Sequence, residues 1–457
     1  MSGQVPREAL RGDARLRAAE VLTRTEADGA FAAAALDAAI ARTPSLGARD
    51  RGLATELVYG ALRTLPVLDA ELARFAKNGA RSIEALDPWS RNVLRVAVYQ
   101  VLALDRIPPS AAVDAAVDAL KRWRSKGLAG FANAVLRRIA GERPDPLPAD
   151  QRVRLALRAI PVAVRVRIGS LLGQEAVESV LRAALERSAV SSVRVNPLRI
   201  DRNALMERLQ RERAGAVISP GKKSELALSI EHAGDLSYTS AWKEGLFDIQ
   251  EEGAQVVALM AGAKPGMAVL DLCAGRGGKS AVLATQMEGR GTLHAVDQHP
   301  AKLETLRANL ARLGLSEHLA LGTFAVDLTV GDGDLATAAP ADGYDVVMVD
   351  APCSGLGTLA HRPDLMLRLR DASAWRELTA IQTAVLERAV RWVRPGGVLL
   401  YAVCTLTAEE GDAPVEAMLA KRPGWAAAHE RTVLRPDVDG TDGFVIHRIV
   451  RAGAVAA

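Results

Sequence analysis

The sequence predicts a multidomain chain with an all-α N-terminal region, a small α+β middle region and a C-terminal α/β domain of the Rossmann-like, doubly wound type. Three observations carry this. Apolar residues recur at helical spacing through ARLRAAEVLTRT, RGLATELVYGALRTLPVLDAEL and WSRNVLRVAVYQVLALDRI, all before about Ile139. The proline-rich stretch ERPDPLPAD (142–150) then forbids a helix. From Lys264 onward strand and helix patterns alternate, which gives a mainly parallel sheet with its ligands beyond the carboxyl ends of the strands.

Taken in order, residues 1–141 form a helical domain in which Pro108 and Pro109 end one helix and Ser110 is placed to cap AAVDAAVDALKRW. Residues 142–150 are a linker. Residues 151–246 form a small α+β subdomain with strand-like SSVRVNPLRI and helix-like NALMERLQRERA. In residues 247–457 the strands are MAVLDLC, GTLHAVD, LALGTFAVD, YDVVMVDAP and GGVLLYAVC, separated by helices such as AKLETLRANLARLG and AWRELTAIQTAVLERAVRWV.

With 457 residues, 49% hydrophobic and 25% charged, the chain can build two or three cores. Its start, MSGQVPREALRGDARLR, lacks the apolar segment of a secretory signal, and no run approaches a membrane span. Cys273, Cys353 and Cys404 lie far apart with no C-x-x-C pair, which argues against a disulfide framework and a structural zinc. The seven histidines show no ligand spacing, so no metal is expected. These features read as a cytoplasmic protein, monomeric and off the membrane.

Charge is uneven. Residues 1–245 carry 38 Lys+Arg against 28 Asp+Glu, and residues 246–457 carry 20 against 26. The basic half suits a polyanion. No acidic residue falls between Asp118 and Glu142, whereas Lys121, Arg122, Arg124, Lys126, Arg137 and Arg138 do, with Phe131 and Asn133 among them. They are the candidate phosphate-contacting residues for RNA; a solvated helix surface is the alternative.

The turn DLCAGRGGKS (271–280) follows the first strand of the α/β domain. It ends like a phosphate-binding loop, yet Cys273 stands where that loop needs its first glycine, and the dinucleotide fingerprint fails at its third. Asp297, ending the next strand twenty positions after Gly277, can accept both ribose hydroxyls of an adenosine. An adenosine ligand without a pyrophosphate is S-adenosylmethionine. Asp327 and Asp350 end later strands on the same rim, and a purely structural tight turn is the competing reading.

Cys353, in VDAPCSGLGTL, and Cys404, in LLYAVCTLTAEEG, sit just past two strand ends and point to that rim. Carbon 5 of cytosine is a poor nucleophile. A thiolate adding to carbon 6 turns it into an enamine that can accept a methyl group, helped by an acid at N3, for which Asp350 is placed. A second cysteine suits assistance of thiolate release. For either cysteine alone, a buried inert thiol is the alternative.

Residues 247–450 resemble the RNA 5-methylcytosine methyltransferases of the Sun/NOL family through FDIQEEGAQ, DLCAGRGGKS, VDAPCSGLG, YAVCTLTAEE and the closing TDGFVIHRI. The resemblance implies Cys404 as nucleophile and Cys353 as the residue assisting release. It also implies a cofactor site of Cys273, Ala274, Gly275, Arg276, Gly277, Gly278 and Lys279 with Asp297, Asp327 and Asp350. The second cysteine favours RNA over DNA as substrate. LRVAVYQVLALDRIPPSAAVDAAVDALKRWRSKGLAGFANAVLRRI is similar to the RNA-binding factor NusB, and a NusB-like domain ahead of the catalytic one resembles the family's small-subunit ribosomal RNA branch. Arg276 stands in place of a usual proline, Val403 and Thr405 in place of Thr and Ser, and Gly411 in place of a frequent Asn; AHRPD (360–364) lacks one of two usual arginines. A non-catalytic RNA-binding or ribosome-assembly protein on a methyltransferase scaffold is the rival class, and methylation of a protein or small molecule leaves the basic helical domain unexplained.

Overall fold

A computed structural model describes residues 13–142, 145–158, 160–186, 191–368, 372–422, 424–425 and 429–453. Arg143 and Pro144 of the expected linker and the first twelve residues lie outside these. The chain divides into two compact units, Met1–Val162 with Arg362–Arg370, and Ala163–His361 with Asp371–Ala457.

The first unit is helical. Its helices include Ala14–Ala27, Ala32–Ala41, Ala48–Phe75, Pro88–Ala103, Pro109–Trp123 and Lys126–Glu142. The periodic leucines and alanines form one core, with Leu22, Leu57, Leu68, Leu72, Trp89, Leu94, Leu102 and Leu120 wholly enclosed. The carboxylate of Asp13 caps the first helix and that of Asp87 caps Pro88–Ala103. Arg95, buried in the central helix, is forked onto Asp69 at 2.7 Å and reaches Glu26 at 2.9 Å, which compensates its burial.

Ser110 is not a cap. Pro109 itself opens the helix as its first residue, with Pro108 in the capping position and no side-chain bond, because a proline needs no partner for its missing N–H. The helix Ala149–Arg158 also joins this unit, whose limit is Val162. The N–H of Leu147 bonds the Leu102 carbonyl, and Leu155 packs on the helical core, as the apolar stripe of an amphipathic helix requires.

The second unit holds two sheets. Strands β1 (Ser191–Val195), β2 (Val217–Pro220), β3 (Ala227–Glu231) and β4 (Phe247–Ile249) form an antiparallel sheet in the order β2-β3-β1-β4. β5 (Ala268–Leu272), β6 (Gly291–Asp297), β7 (Leu319–Ala325), β8 (Tyr344–Asp350), β9 (Val393–Val403), β10 (His429–Leu434) and β11 (Phe444–Val450) form the second, in the order β10-β11-β9-β8-β5-β6-β7. Strands β9, β8, β5, β6 and β7 run parallel, and β11 and β10 extend the edge antiparallel. Helices Glu252–Leu259, Gly278–Gln286 and Pro300–Arg312 cover one face, and Ala372–Trp392 and Ala413–Ala420 the other, each sealing a separate apolar cluster. This is the doubly wound arrangement the alternation predicts.

The small sheet is fastened to the helices of the large one by Arg194. Its guanidinium is bonded to Gln250 at 2.9 Å and Thr285 at 3.1 Å, with Asp248 at 3.9 Å; burial pushes it down to about 10 despite that carboxylate. Among the described residues no helix is long and apolar enough to cross a membrane.

Candidate active site

The chain order reverses between β5 and β8, which are adjacent in the sheet although β6 and β7 separate them in sequence. At such a switch point the loops leaving the two strands diverge and open a crevice beyond their carboxyl ends. The loop after β5 is the glycine turn, and the loop after β8 carries Cys353.

The turn is built from left-handed backbone: Cys273 at φ 64°, Gly275 at φ 58° and Gly277 at φ 84°. At Gly277 the reason is double, since a Cβ would also stand 2.5 Å from Leu306. Gly277 starts the helix Gly278–Gln286. Arg276, the departure from proline, is exposed at the tip. The turn is tied to the end of β6 by Asp297, whose Oδ2 accepts the Gly275 N–H at 3.0 Å and whose Oδ1 accepts the His299 N–H at 2.9 Å.

Lys279 projects from the first turn of that helix to Asp350 at the end of β8, Nζ to Oδ2 2.6 Å, with the Phe444 ring 5.5 Å away. Burial opposes its charge, but Asp350 outweighs burial and raises its pKa. Asp327 is placed differently from expectation. It lies two residues past β7, exposed, and its carboxylate accepts both the N–H and the hydroxyl of Thr329 at 2.8 and 2.6 Å. A polar turn residue, and not the strand, sets its position.

Asp271 is a group the sequence reading missed. It is wholly buried in β5; Oδ2 accepts the Ser280 hydroxyl at 2.5 Å and Oδ1 has no hydrogen-bond partner. Burial pushes its carboxyl up to about 7, against the pull of Ser280. The residue sits inside DLCAG, but an acid in the middle of a strand pattern reads as a strand end until its enclosure is known.

Cys353 and Cys404 are brought together, Sγ to Sγ 3.2 Å, with no disulfide between them. The Cys353 thiol is held well above its ordinary pKa, first by its hydrogen bond to Cys404, then by burial and the charges of Cys404 and Glu410. It therefore stays protonated, beside a Cys404 sulfur with which it can share a hydrogen bond in either direction. Thr405, where a serine is usual, still supplies a hydroxyl, 2.8 Å from that of Ser354. Gly411, where an asparagine is frequent, packs so closely on Val445 that a Cβ would lie 2.8 Å from it.

At the crevice Asp297 and Asp350 stand against the ammonium groups of Lys302 and Lys279, the former 3.4 Å from Asp297, with the enclosed Asp271 close enough to feel them. A ligand carrying a sulfonium and an α-ammonium fits, and the unpartnered Asp271 Oδ1 is an acceptor awaiting a donor. Among the described residues no group of three His, Cys, Asp or Glu is arranged to hold a metal.

In the helical unit the basic candidates fall into two groups. Lys121, Arg122 and Lys126 are exposed where helices Pro109–Trp123 and Lys126–Glu142 meet. Arg137 and Arg138 are exposed eleven or so residues further along, roughly 16 Å at 1.5 Å per residue. Arg124 is occupied: it bonds Asp87 at 3.2 Å and stacks over Trp89 at 4.5 Å, holding the capped helix start.

The family model described as 16S rRNA methyltransferase RsmB/F matches residues 258–441, and that of the NusB family matches residues 12–141. A Bacillus subtilis (strain 168) protein named probable ribosomal RNA small subunit methyltransferase B is 30% identical over 455 residues, covering 95% of this chain and 98% of its own. Among solved structures, PH0851 superposes with a TM-score of 0.77 at 23% identity, covering 95% of this chain and 98% of that one. NSun6 from Pyrococcus horikoshii, solved with SFG, gives 0.54 at 20% identity over 65% of this chain and 99% of that one. With a full-length relative of that identity, a matching catalytic model on the large sheet and a matching helical model ahead of it, the chain belongs to the RsmB/F family of RNA methyltransferases.

Proposed function

We propose that this protein methylates carbon 5 of a cytosine in small-subunit ribosomal RNA through a covalent cysteine–cytosine intermediate. The observation that carries the reading is the 3.2 Å approach of Cys404 and Cys353 beside the Lys279–Asp350 pair. The cofactor is S-adenosylmethionine, which supplies an electrophilic methyl group when bound. Cys273–Lys279, Asp271, Asp297 and Asp327 hold and orient it. Residues 1–141 bind RNA as a NusB-like domain, with Lys121, Arg122, Lys126, Arg137 and Arg138 toward phosphates, and the small antiparallel sheet from Ser191 to Ile249 stands beside the catalytic sheet.

Each chain residue then has one task. Cys404, a thiolate through the Cys353 hydrogen bond, adds to carbon 6 and pushes electron density to carbon 5. Asp350 is placed to give a proton to N3 so that the ring does not accumulate charge and to take it back as the ring is released, and the Lys279 ammonium, 2.6 Å behind it, holds the carboxyl in place. After carbon 5 has gained its methyl and lost its proton to a base, the carbon 6–sulfur bond breaks. Cys353 stabilises the departing thiolate by donating to it again.

The test is methylation of an unmodified small-subunit rRNA transcript by the purified full chain with tritiated cofactor, mapped by bisulfite sequencing. Label on a bisulfite-resistant cytosine is expected. Label on another atom, another base or a protein sinks the reading.

A second expectation concerns Asp271. Its carboxyl has an ordinary value of 3.8 and is pushed up to about 7, so between those values the folded chain holds a proton that the unfolded chain has released. Its contribution to stability is therefore present below about 4 and is lost as pH rises through about 7. Asp271→Asn, which cannot ionise, should melt higher than wild type at pH 8 and equally at pH 4, by about 2–4 °C for each kcal/mol recovered. It should also bind cofactor more weakly above pH 7, where wild type offers a carboxylate to a cation. Thermal melts at both pH values with and without cofactor check this; parallel pH profiles for the two proteins would remove Asp271 from the account.

A further inference from the structure

We propose that Glu410 is a positioning residue whose carboxylate clamps the two cysteine loops together and so sets the sulfur–sulfur approach; the proposal rests on the two-cysteine reading above. Glu410 is fully buried in the helical turn Ala408–Gly411, six residues after Cys404, and touches no reacting atom. Its Oε1 accepts the Ser354 N–H at 2.8 Å and the Gln382 amide at 3.1 Å. Its Oε2 accepts the Ser354 hydroxyl at 2.5 Å and stands 3.2 Å from the hydroxyls of both Thr405 and Thr407.

Ser354 and Thr405 are the residues that directly follow Cys353 and Cys404. One carboxylate thus grips both loops at the position next to each thiol, across 56 residues of sequence. The same Gln382 amide also bonds the Pro352 carbonyl at 2.8 Å, so the loop is held on both sides of Cys353. Tyr401 fixes the clamp itself, its hydroxyl donating to the Glu410 carbonyl at 2.8 Å. A carboxylate, with two acceptor oxygens and about four lone-pair sites, is the side chain best able to take donors converging from three segments. A buried charge so satisfied is rigid, and losing it strands the donors. Its charge is also among those that keep the Cys353 thiol protonated.

The clamp is testable without catalysis. Diamide, an azo oxidant, takes two electrons and two protons from a thiol pair: one thiolate adds to an azo nitrogen, and the second thiol displaces the hydrazine as the S–S bond forms, a closure that requires the two sulfurs to meet. In the full-length wild type, peptide mass mapping should show Cys353 bridged to Cys404. Glu410→Ala should bridge about tenfold more slowly or worse, the factor expected from losing charge-assisted hydrogen bonds. Glu410→Gln should stay within about threefold, because the amide keeps one acceptor and the hydroxyls can turn to accept from its NH2. In RNA methylation, Glu410→Ala should lower kcat at least about tenfold while KM for RNA and cofactor affinity stay within about twofold.

Bridging at the wild-type rate in Glu410→Ala, or equal loss of kcat, KM and cofactor binding, overturns the proposal. If that variant does not fold, Ser354→Ala decides, since it removes the hydroxyl link from one loop; unchanged bridging there overturns it equally. A wild type that bridges Cys353 to Cys404 but methylates no RNA sinks the functional reading and leaves the clamp measured.

Discussion

Cys404→Ala should abolish methylation, by on the order of 10³-fold or more, and form no covalent RNA complex, as expected when a covalent nucleophile is lost. Cys353→Ala should instead attack, accept the methyl group and stall, leaving a protein–RNA adduct visible as a shifted band under denaturing conditions. The geometry gives the asymmetry its cause. The sulfurs are 3.2 Å apart and the Cys353 thiol is the protonated partner, so its removal deprives Cys404 of the donor that stabilises it as a leaving group. Attack is hindered less than release, because protonation at N3 activates carbon 6 toward the thiolate. Both side chains are half-buried, in two loops that touch, so a general loss of packing would affect the two variants alike. Opposite gel outcomes cannot arise that way. Adduct from Cys404→Ala and none from Cys353→Ala would reverse the roles, and adduct from neither would remove the covalent step.

How much of this was legible beforehand follows from what each element asks of its sequence. β5, β6, β8 and the second half of β9 are largely buried, so each reads as a short apolar run, and the acids Asp297 and Asp350 mark where two of them end; β7, at the edge, is only partly covered. The helical unit was equally plain, because its apolar stripe repeats over many turns. β10, with its exposed Glu430 and Arg431, lies on the sheet edge and carries no such run. β4 is only three residues long, and β2, Val217–Pro220, is mostly exposed and ends in a proline. Strands of this kind are specified by their partners. The same holds in the site. Cys353, Cys404 and Lys279 announce themselves through their neighbours in sequence, but Glu410 acquires its meaning from Ser354 and Gln382, far off in the chain. Asp271 acquires its meaning from enclosure.

The Lys279–Asp350 pair carries the second large expectation. Asp350→Asn should lower kcat by roughly 10²–10⁴-fold, the range for a general acid, and should suppress adduct formation in a Cys353→Ala background, because N3 protonation precedes or accompanies attack. Lys279→Met should act through Asp350: the carboxylate stays at the rim with no ammonium at 2.6 Å to hold it. The Lys279 ammonium is raised by Asp350 and remains charged past neutrality, so this hold persists as pH rises to 9. Lys279→Met should therefore lose kcat across the whole range from pH 6 to 9, by less than Asp350→Asn, which lacks the acid itself. Rates measured with saturating cofactor over that range separate these outcomes. If Lys279→Met and wild type share the same rates, the lysine only anchors the turn.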